Sequence, residues 1–339
     1  MKKNRKKILK YLFKISFTIL MFAIIIIGFQ KKLGNQANIV ETIKTNFASI
    51  NISVSILALA IFIILSIVAT VRIYLLTKAH EIQISFIALL KNLYIGFLFN
   101  PILMGSTGGD IVRSYYLTKE TPDKTKIVTV LFLDRFIGMI SMFTLGLIAM
   151  LFNYNDPKLG AVLRPVFYST AFIYFILIII AVLSSSQRVV TKFSRFKNFI
   201  GIKKIKSIAK IIFDTLHQTK QHKKTIALAI LCTILTQILA IISAWIAAKS
   251  ITNIEIIPFK YFFLFIPIIL TISAIPISLG GIGVGEAAYA TLFLFVGVTE
   301  ADSITISLLN RLLLIFIAFI GGIIYLLPST KKIKLNDEL

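Results

Sequence analysis

Two apolar stretches of this 339-residue chain, 85–117 and 258–297, are each broken by the same short pattern. The first break reads Pro101-Ile102-Leu103-Met104-Gly105-Ser106-Thr107-Gly108-Gly109-Asp110. The second reads Pro276-Ile277-Ser278-Leu279-Gly280-Gly281-Ile282-Gly283-Val284-Gly285-Glu286. In both, Pro-Ile is followed by a glycine at four residues, another at seven, and an acid at nine or ten. An arginine lies 25 residues beyond each acid, Arg135 after Asp110 and Arg311 after Glu286. Bare backbone amides at membrane depth must be surrounded by protein or by a wet cavity. A chain broken twice in this way therefore has few folds open to it. Paired discontinuous segments in two halves of a sequence also point to a transporter's binding site.

The solvent follows from composition. Hydrophobic residues make up 57% of the chain and mean hydropathy is +0.90, too apolar for a soluble domain. Charged residues are only 15%, yet the net charge is +23, which suits loops lying against anionic lipid. No soluble basic domain is visible, so nucleic acid is not an expected partner. The one cysteine, Cys232, leaves no disulfide, zinc-thiolate or dithiol motif. His80, His217 and His222 lie outside the apolar runs, so no metal or other cofactor is expected.

Six segments are long enough to cross about 30 Å of hydrocarbon as helices: 11–29, 50–76, 127–152, 165–185, 225–248 and 304–327. The first follows a basic start, Lys2 to Lys7, and precedes Gln30-Lys31-Lys32 without a small-residue cleavage site. It reads as an uncleaved span rather than a signal peptide. With 85–117 and 258–297 taken as re-entrant helical hairpins, the expected fold is an all-α polytopic membrane protein of about eight apolar segments. The alternative is that each broken stretch is a pair of full, glycine-kinked spans. The hairpin topology puts 27 Lys and Arg on one side, including Arg72 in a loop 72–91, and 7 on the other. That bias places both termini in the cytoplasm. The order span, span, hairpin, span then occurs twice, over 11–152 and 165–327, as an inverted repeat within one membrane domain. Between the copies, 186–224 is basic and carries Ile205, Ile208, Ile211, Ile212 and Leu216 at helical spacing. It reads as an amphipathic helix on the inner leaflet or as a solvated linker.

The glycine tips lead into expected helices at 110–117 and 286–297. Gly105, Gly108, Gly109, Gly280, Gly281, Gly283 and Gly285 would let backbone N–H groups face an anion at a helix N-terminus, or would merely permit close helix packing. Asp110, Arg113, Asp134, Arg135, Glu286 and Arg311 are ionisable groups within or beside apolar segments. Such groups face the bundle interior and find partners. The expected pairs are Asp110 with Arg135 and Glu286 with Arg311, with a local Asp110–Arg113 pair also open. Tyr115 and Tyr116 read as interface anchors. No P-loop, zinc motif or nucleophile elbow is present, so no catalytic residue is assigned.

Asn100-Pro101, Gly105, Gly108-Gly109-Asp110 and Arg113-Ser114-Tyr115-Tyr116 resemble the Pro-x-x-x-Gly-Gly-Asp segment of a bacterial and archaeal family. Leu133-Asp134-Arg135 and Ile275 through Glu286 resemble its two other signatures. The family is the lysylphosphatidylglycerol synthase transmembrane region, also called flippase-like or UPF0104, and the resemblance covers nearly the whole chain. It implies a flippase that moves aminoacylated phosphatidylglycerol to the outer leaflet. In the multidomain relatives a separate soluble domain makes that lipid; this chain ends at Leu339 after a short tail. The expected function is thus a non-enzymatic lipid translocase of the inner (cytoplasmic) membrane, working by alternating access. Its cargo would be an aminoacyl-phosphatidylglycerol-like lipid or a polyprenyl or glycolipid phosphate. The rival readings are a secondary transporter of a small soluble anion and a membrane enzyme acting on lipid. Expected partners are lipids with anionic head groups, with a homo-oligomer and a separate lipid-synthesising enzyme as further candidates.

Overall fold

The computed structural model describes residues 39–101, 103, 108–156, 159–184, 223–274, 278 and 280–326. The expected span 11–29, the linker up to residue 222 and the motif residues Gly105, Pro276 and Ile277 lie outside them. Ten helices follow one another among the described residues: α1 (Ile39–Ala48), α2 (Ile52–Ala79), α3 (Phe86–Phe99), α4 (Gly109–Glu120), α5 (Lys124–Phe152), α6 (Gly160–Ser184), α7 (Lys223–Lys249), α8 (Phe259–Ala274), α9 (Val284–Leu294) and α10 (Glu300–Leu326). Four of them, α2, α5, α7 and α10, are long and apolar enough to cross a bilayer.

The start signals are local. The Asn51 side chain accepts the Val54 N–H at 3.3 Å to open α2, and Ser85 accepts the Ala88 N–H at 3.2 Å to open α3. These side chains satisfy donors that a helix N-terminus leaves free. Pro101 ends α3 because it brings no N–H to the ladder.

The broken stretches are two short-limbed helical hairpins. Limbs α3 and α4 have 14 and 12 residues, and limbs α8 and α9 have 16 and 11. At 1.5 Å per residue, each spans only about 16–24 Å, short of a full crossing. In both hairpins the second limb folds back on the first. The approach is closest at Gly109, where a Cβ would overlap the Gly96 carbonyl.

Among the described residues, helices α2 and α7 form the most extensive helix pair, and they run antiparallel. Asn51 N–H donates to the Ser250 carbonyl at 2.7 Å. Ser243 Oγ donates to the Ala58 carbonyl at 2.9 Å, and Arg72 reaches Thr233 at 3.3 Å. Residue numbers rise on α2 as they fall on α7. The hairpins also pack crosswise: α3 lies on α10, while α8 lies on α5. Each half of the chain therefore supplies a wall for the other half's hairpin.

Two apolar cores result among the described residues. One gathers Phe262, Phe265, Phe293 and Ile306 around α8 and α9. The other gathers Ile73, Leu76, Leu89, Leu117 and Ile127. Outward faces stay greasy, with Phe172, Phe175 and Ile176 on α6 and Phe316, Phe319 and Ile323 on α10 all exposed. Large apolar side chains turned outward along long helices match a lipid solvent.

Candidate functional site

The two glycine tips touch. Gly280 N–H donates to the Leu103 carbonyl at 2.9 Å. A Cβ on Gly280 would lie 2.8 Å from Pro101 Cα, and its φ is +56°. Only glycine accommodates both the left-handed backbone and this closeness. The two motifs, 170 and more residues apart in sequence, thus share one junction inside the bundle.

The second tip is held by its own acid and arginine. Glu286 is 1% exposed. Its Oε1 meets Arg311 Nε at 2.6 Å, and its Oε2 accepts the Gly283 N–H at 2.7 Å. The Arg311 Nη atoms reach the Gly280 and Gly281 carbonyls at 3.3 and 3.4 Å. Every charged atom of the pair has a protein partner, so this tip is closed on itself electrostatically.

The first tip is organised otherwise. Asn100 Oδ1 accepts the Gly109 N–H at 2.8 Å, tying the two limbs. Asp110 is paired with Arg135, whose side chain is 52% exposed. Asp134, one residue earlier on α5, turns inward and is 2% exposed. Arg72 grips it with both ends of the guanidinium, Nε to Oδ1 at 2.5 Å and Nη2 to Oδ2 at 3.0 Å. Arg113 is 3% exposed among them. Its electrostatic neighbours are Asp134, Asp110, Arg135 and Arg72, yet its Nε and Nη2 make no hydrogen bond.

Several expectations change. The local Asp110–Arg113 pair gives way to Asp110–Arg135, because α5 delivers Arg135 alongside α4. Arg72, counted with a cytoplasmic loop, sits within α2 and neutralises Asp134. The apolar Ile73, Leu75 and Leu76 that follow it were the available signal. Asn100 belongs to the motif with Pro101, but its role in tying the limbs appears only once the hairpin closes. Tyr116 is buried against Tyr325 rather than anchored at an interface, whereas Tyr115 is 37% exposed with Lys119 over its ring. The amide donors of Gly109, Gly280, Gly283 and Gly285, offered to a ligand in the sequence reading, are taken by protein acceptors. The helices after the tips run 109–120 and 284–294, each starting within its glycine motif.

Long apolar helices, short hairpins meeting at a glycine junction and buried ion pairs define a polytopic all-α membrane protein. The chain belongs to the lysylphosphatidylglycerol synthase transmembrane region family, whose pattern it matches over residues 11–322. It is 23% identical over 310 residues to the UPF0104 membrane protein PH1989 of Pyrococcus horikoshii, covering 86% of this chain and 91% of that one. No solved structure matches it.

Proposed function

We propose that this protein is a lipid translocase that carries a phosphate-bearing head group between leaflets while the acyl tails stay in the bilayer. Exposing a charged head group to hydrocarbon is costly, and a polar junction between two movable hairpins offers it a sheltered route. The observation that carries this reading is the contact between the tips, Gly280 N–H to the Leu103 carbonyl, with an acid–arginine pair behind each tip. Support for two-sided access comes from α2 and α7, corresponding spans of the two halves that run antiparallel, as an inverted repeat requires. Opening one hairpin at a time would expose the junction to each leaflet in turn. The excess of Lys and Arg on one set of loops supports a cytoplasmic membrane with both termini inside. The step needs no bond making, and the protein acts on this reading as a carrier rather than an enzyme. Its lipid would arrive from a separate synthesising enzyme.

The test is head-group movement in proteoliposomes, read by dithionite quenching of a fluorescent anionic phospholipid. The wild-type chain accelerates quenching of the inner leaflet, and Glu286→Gln slows it at least about tenfold, because it breaks the buried pair with Arg311 that holds the second tip. A wild-type rate in Glu286→Gln would refute the site. Uptake of soluble anions, with no lipid movement, would replace the reading with that of an anion transporter.

A further inference from the structure

The two hairpins are not equivalent in the charges that surround their tips. At the second tip, one carboxylate faces one guanidinium, and both are used up by each other and by the tip backbone. A ligand there would have to break an existing buried pair. At the first tip, three guanidiniums, Arg72, Arg113 and Arg135, surround two carboxylates, Asp110 and Asp134. Among the described residues one positive charge is left over, and it is that of Arg113, which has no ion-pair partner there. That side chain is more than nine-tenths buried, and two of its donor nitrogens are unbonded. A buried donor without an acceptor is a costly arrangement that proteins rarely keep without a purpose.

We infer that Arg113 is the seat of a singly charged phosphate ester, bound at the first hairpin. This deepens the translocase reading and rests on it for its place in transport. The stoichiometry fits: one oxyanion cancels the one excess charge. The chemistry also fits, since a guanidinium fork presents paired donors to phosphate oxygens. Gly96 lies against the Arg113 Cβ, at 3.6 Å from where its own Cβ would be, so the stem is held while the fork stays unbonded. The half-exposed Arg135 next to Asp110 marks the accessible side of the cluster. The phosphate enters by displacing Asp110 from Arg135 and takes up the free donors of Arg113 behind it. Arg311 then serves as a tether of the second tip rather than as a phosphate ligand.

The experiment is equilibrium binding of phosphatidylglycerol to the detergent-purified full chain, with inorganic phosphate as competitor and neutral diacylglycerol as control. Arg113→Gln is expected to weaken phosphatidylglycerol binding at least about tenfold and to leave diacylglycerol binding unchanged. Its melting temperature should be no lower than wild type, because an uncompensated buried charge has been removed. Arg113→Lys keeps the charge and loses the fork, so it should bind with intermediate affinity. Lys260→Ala, which breaks an ion pair to Asp156 away from the site, controls for general loss of charge. Wild-type affinity in Arg113→Gln would overturn the proposal. So would unfolding of Arg113→Gln together with wild-type affinity in Arg113→Lys, since Arg113 would then be structural. Displacement by inorganic phosphate assigns the seat to a soluble ester; displacement by lipid alone assigns it to a head group. If the chain binds phosphatidylglycerol through Arg113 yet moves no lipid, the translocase reading fails and the seat stands. If Arg113→Gln moves lipid at the wild-type rate, the seat fails and the translocase stands.

Discussion

Removing Arg311 should cost far more stability than removing Arg135, although the two arginines hold matching places in the sequence. Arg311→Ala strands the Glu286 carboxylate, 1% exposed, and frees two tip carbonyls that it had bonded. Breaking a buried pair by deleting one partner costs about 3–5 kcal/mol. Asp110 and Arg135 are 28% and 52% exposed, and water screens such a pair to about 1 kcal/mol or less. The measurement is a double-mutant cycle on each pair, with unfolding free energies from denaturant titration in mixed micelles. The Glu286–Arg311 cycle should give a coupling of about 2–3 kcal/mol, and the Asp110–Arg135 cycle under about 1 kcal/mol. The double variant Glu286→Gln/Arg311→Gln should recover much of the loss of Arg311→Ala, because no charge remains stranded. Equal couplings for the two pairs would refute the reasoning, as would a double variant no better than Arg311→Ala.

Two further perturbations test the frame that holds the site. Gly280→Ala forces a side chain into a left-handed backbone against Pro101 and should cost at least about 1 kcal/mol, while Gly138→Ala, with nothing near its Cβ, should be neutral or stabilising by about 0.5–1 kcal/mol; thermal unfolding of the purified chains separates them. Ser55→Cys with Ser250→Cys, on a Cys232→Ser background, should oxidise to a disulfide, since the two hydroxyls lie 3.0 Å apart; failure to cross-link by non-reducing gel would contradict the antiparallel α2–α7 pair.

Much of the architecture was legible because bilayer physics fixes long-range rules. The lengths of 50–76, 127–152, 225–248 and 304–327 marked the four long helices, since only a helix satisfies its backbone in lipid. The glycine motifs marked both hairpin breaks, and the shared 25-residue spacing marked the partners Arg135 and Arg311. What could not be read was which side of a helix faces which neighbour. Asp134 and Arg135 are adjacent in sequence yet end in opposite settings, one buried under Arg72 and one half in the open. A helix rotates successive residues by about 100°, so adjacency says nothing of shared environment. Arg72 was misplaced for a related reason, because a charge near the end of an apolar run reads equally as loop or as buried partner. The partners of the glycine amides are illegible in sequence because the folded tips spend those donors on their own hairpins and, at Gly280, on the other tip.

The asymmetry of the pairs bears on how the proposed carrier would move. A hairpin can swing only as far as its weakest restraint permits, and a ligand can shift the balance only by its differential affinity for the two arrangements. The second tip is restrained by a buried pair and by an acid bonded to its own turn. The first is restrained by a solvent-screened pair, and beside that pair lies the Arg113 guanidinium, two of whose nitrogens have no acceptor. A phosphate supplies what the first hairpin lacks and offers the second nothing that it does not already have. The energetic bias therefore falls on α3 and α4 as the moving element and on α8 and α9 as the fixed one. Spin labels across the tip junction should accordingly report phosphate-ester-dependent displacement of α4 relative to α5, with α9 stationary on α10. Motion of α9 alone would reverse the assignment and return the phosphate to Arg311.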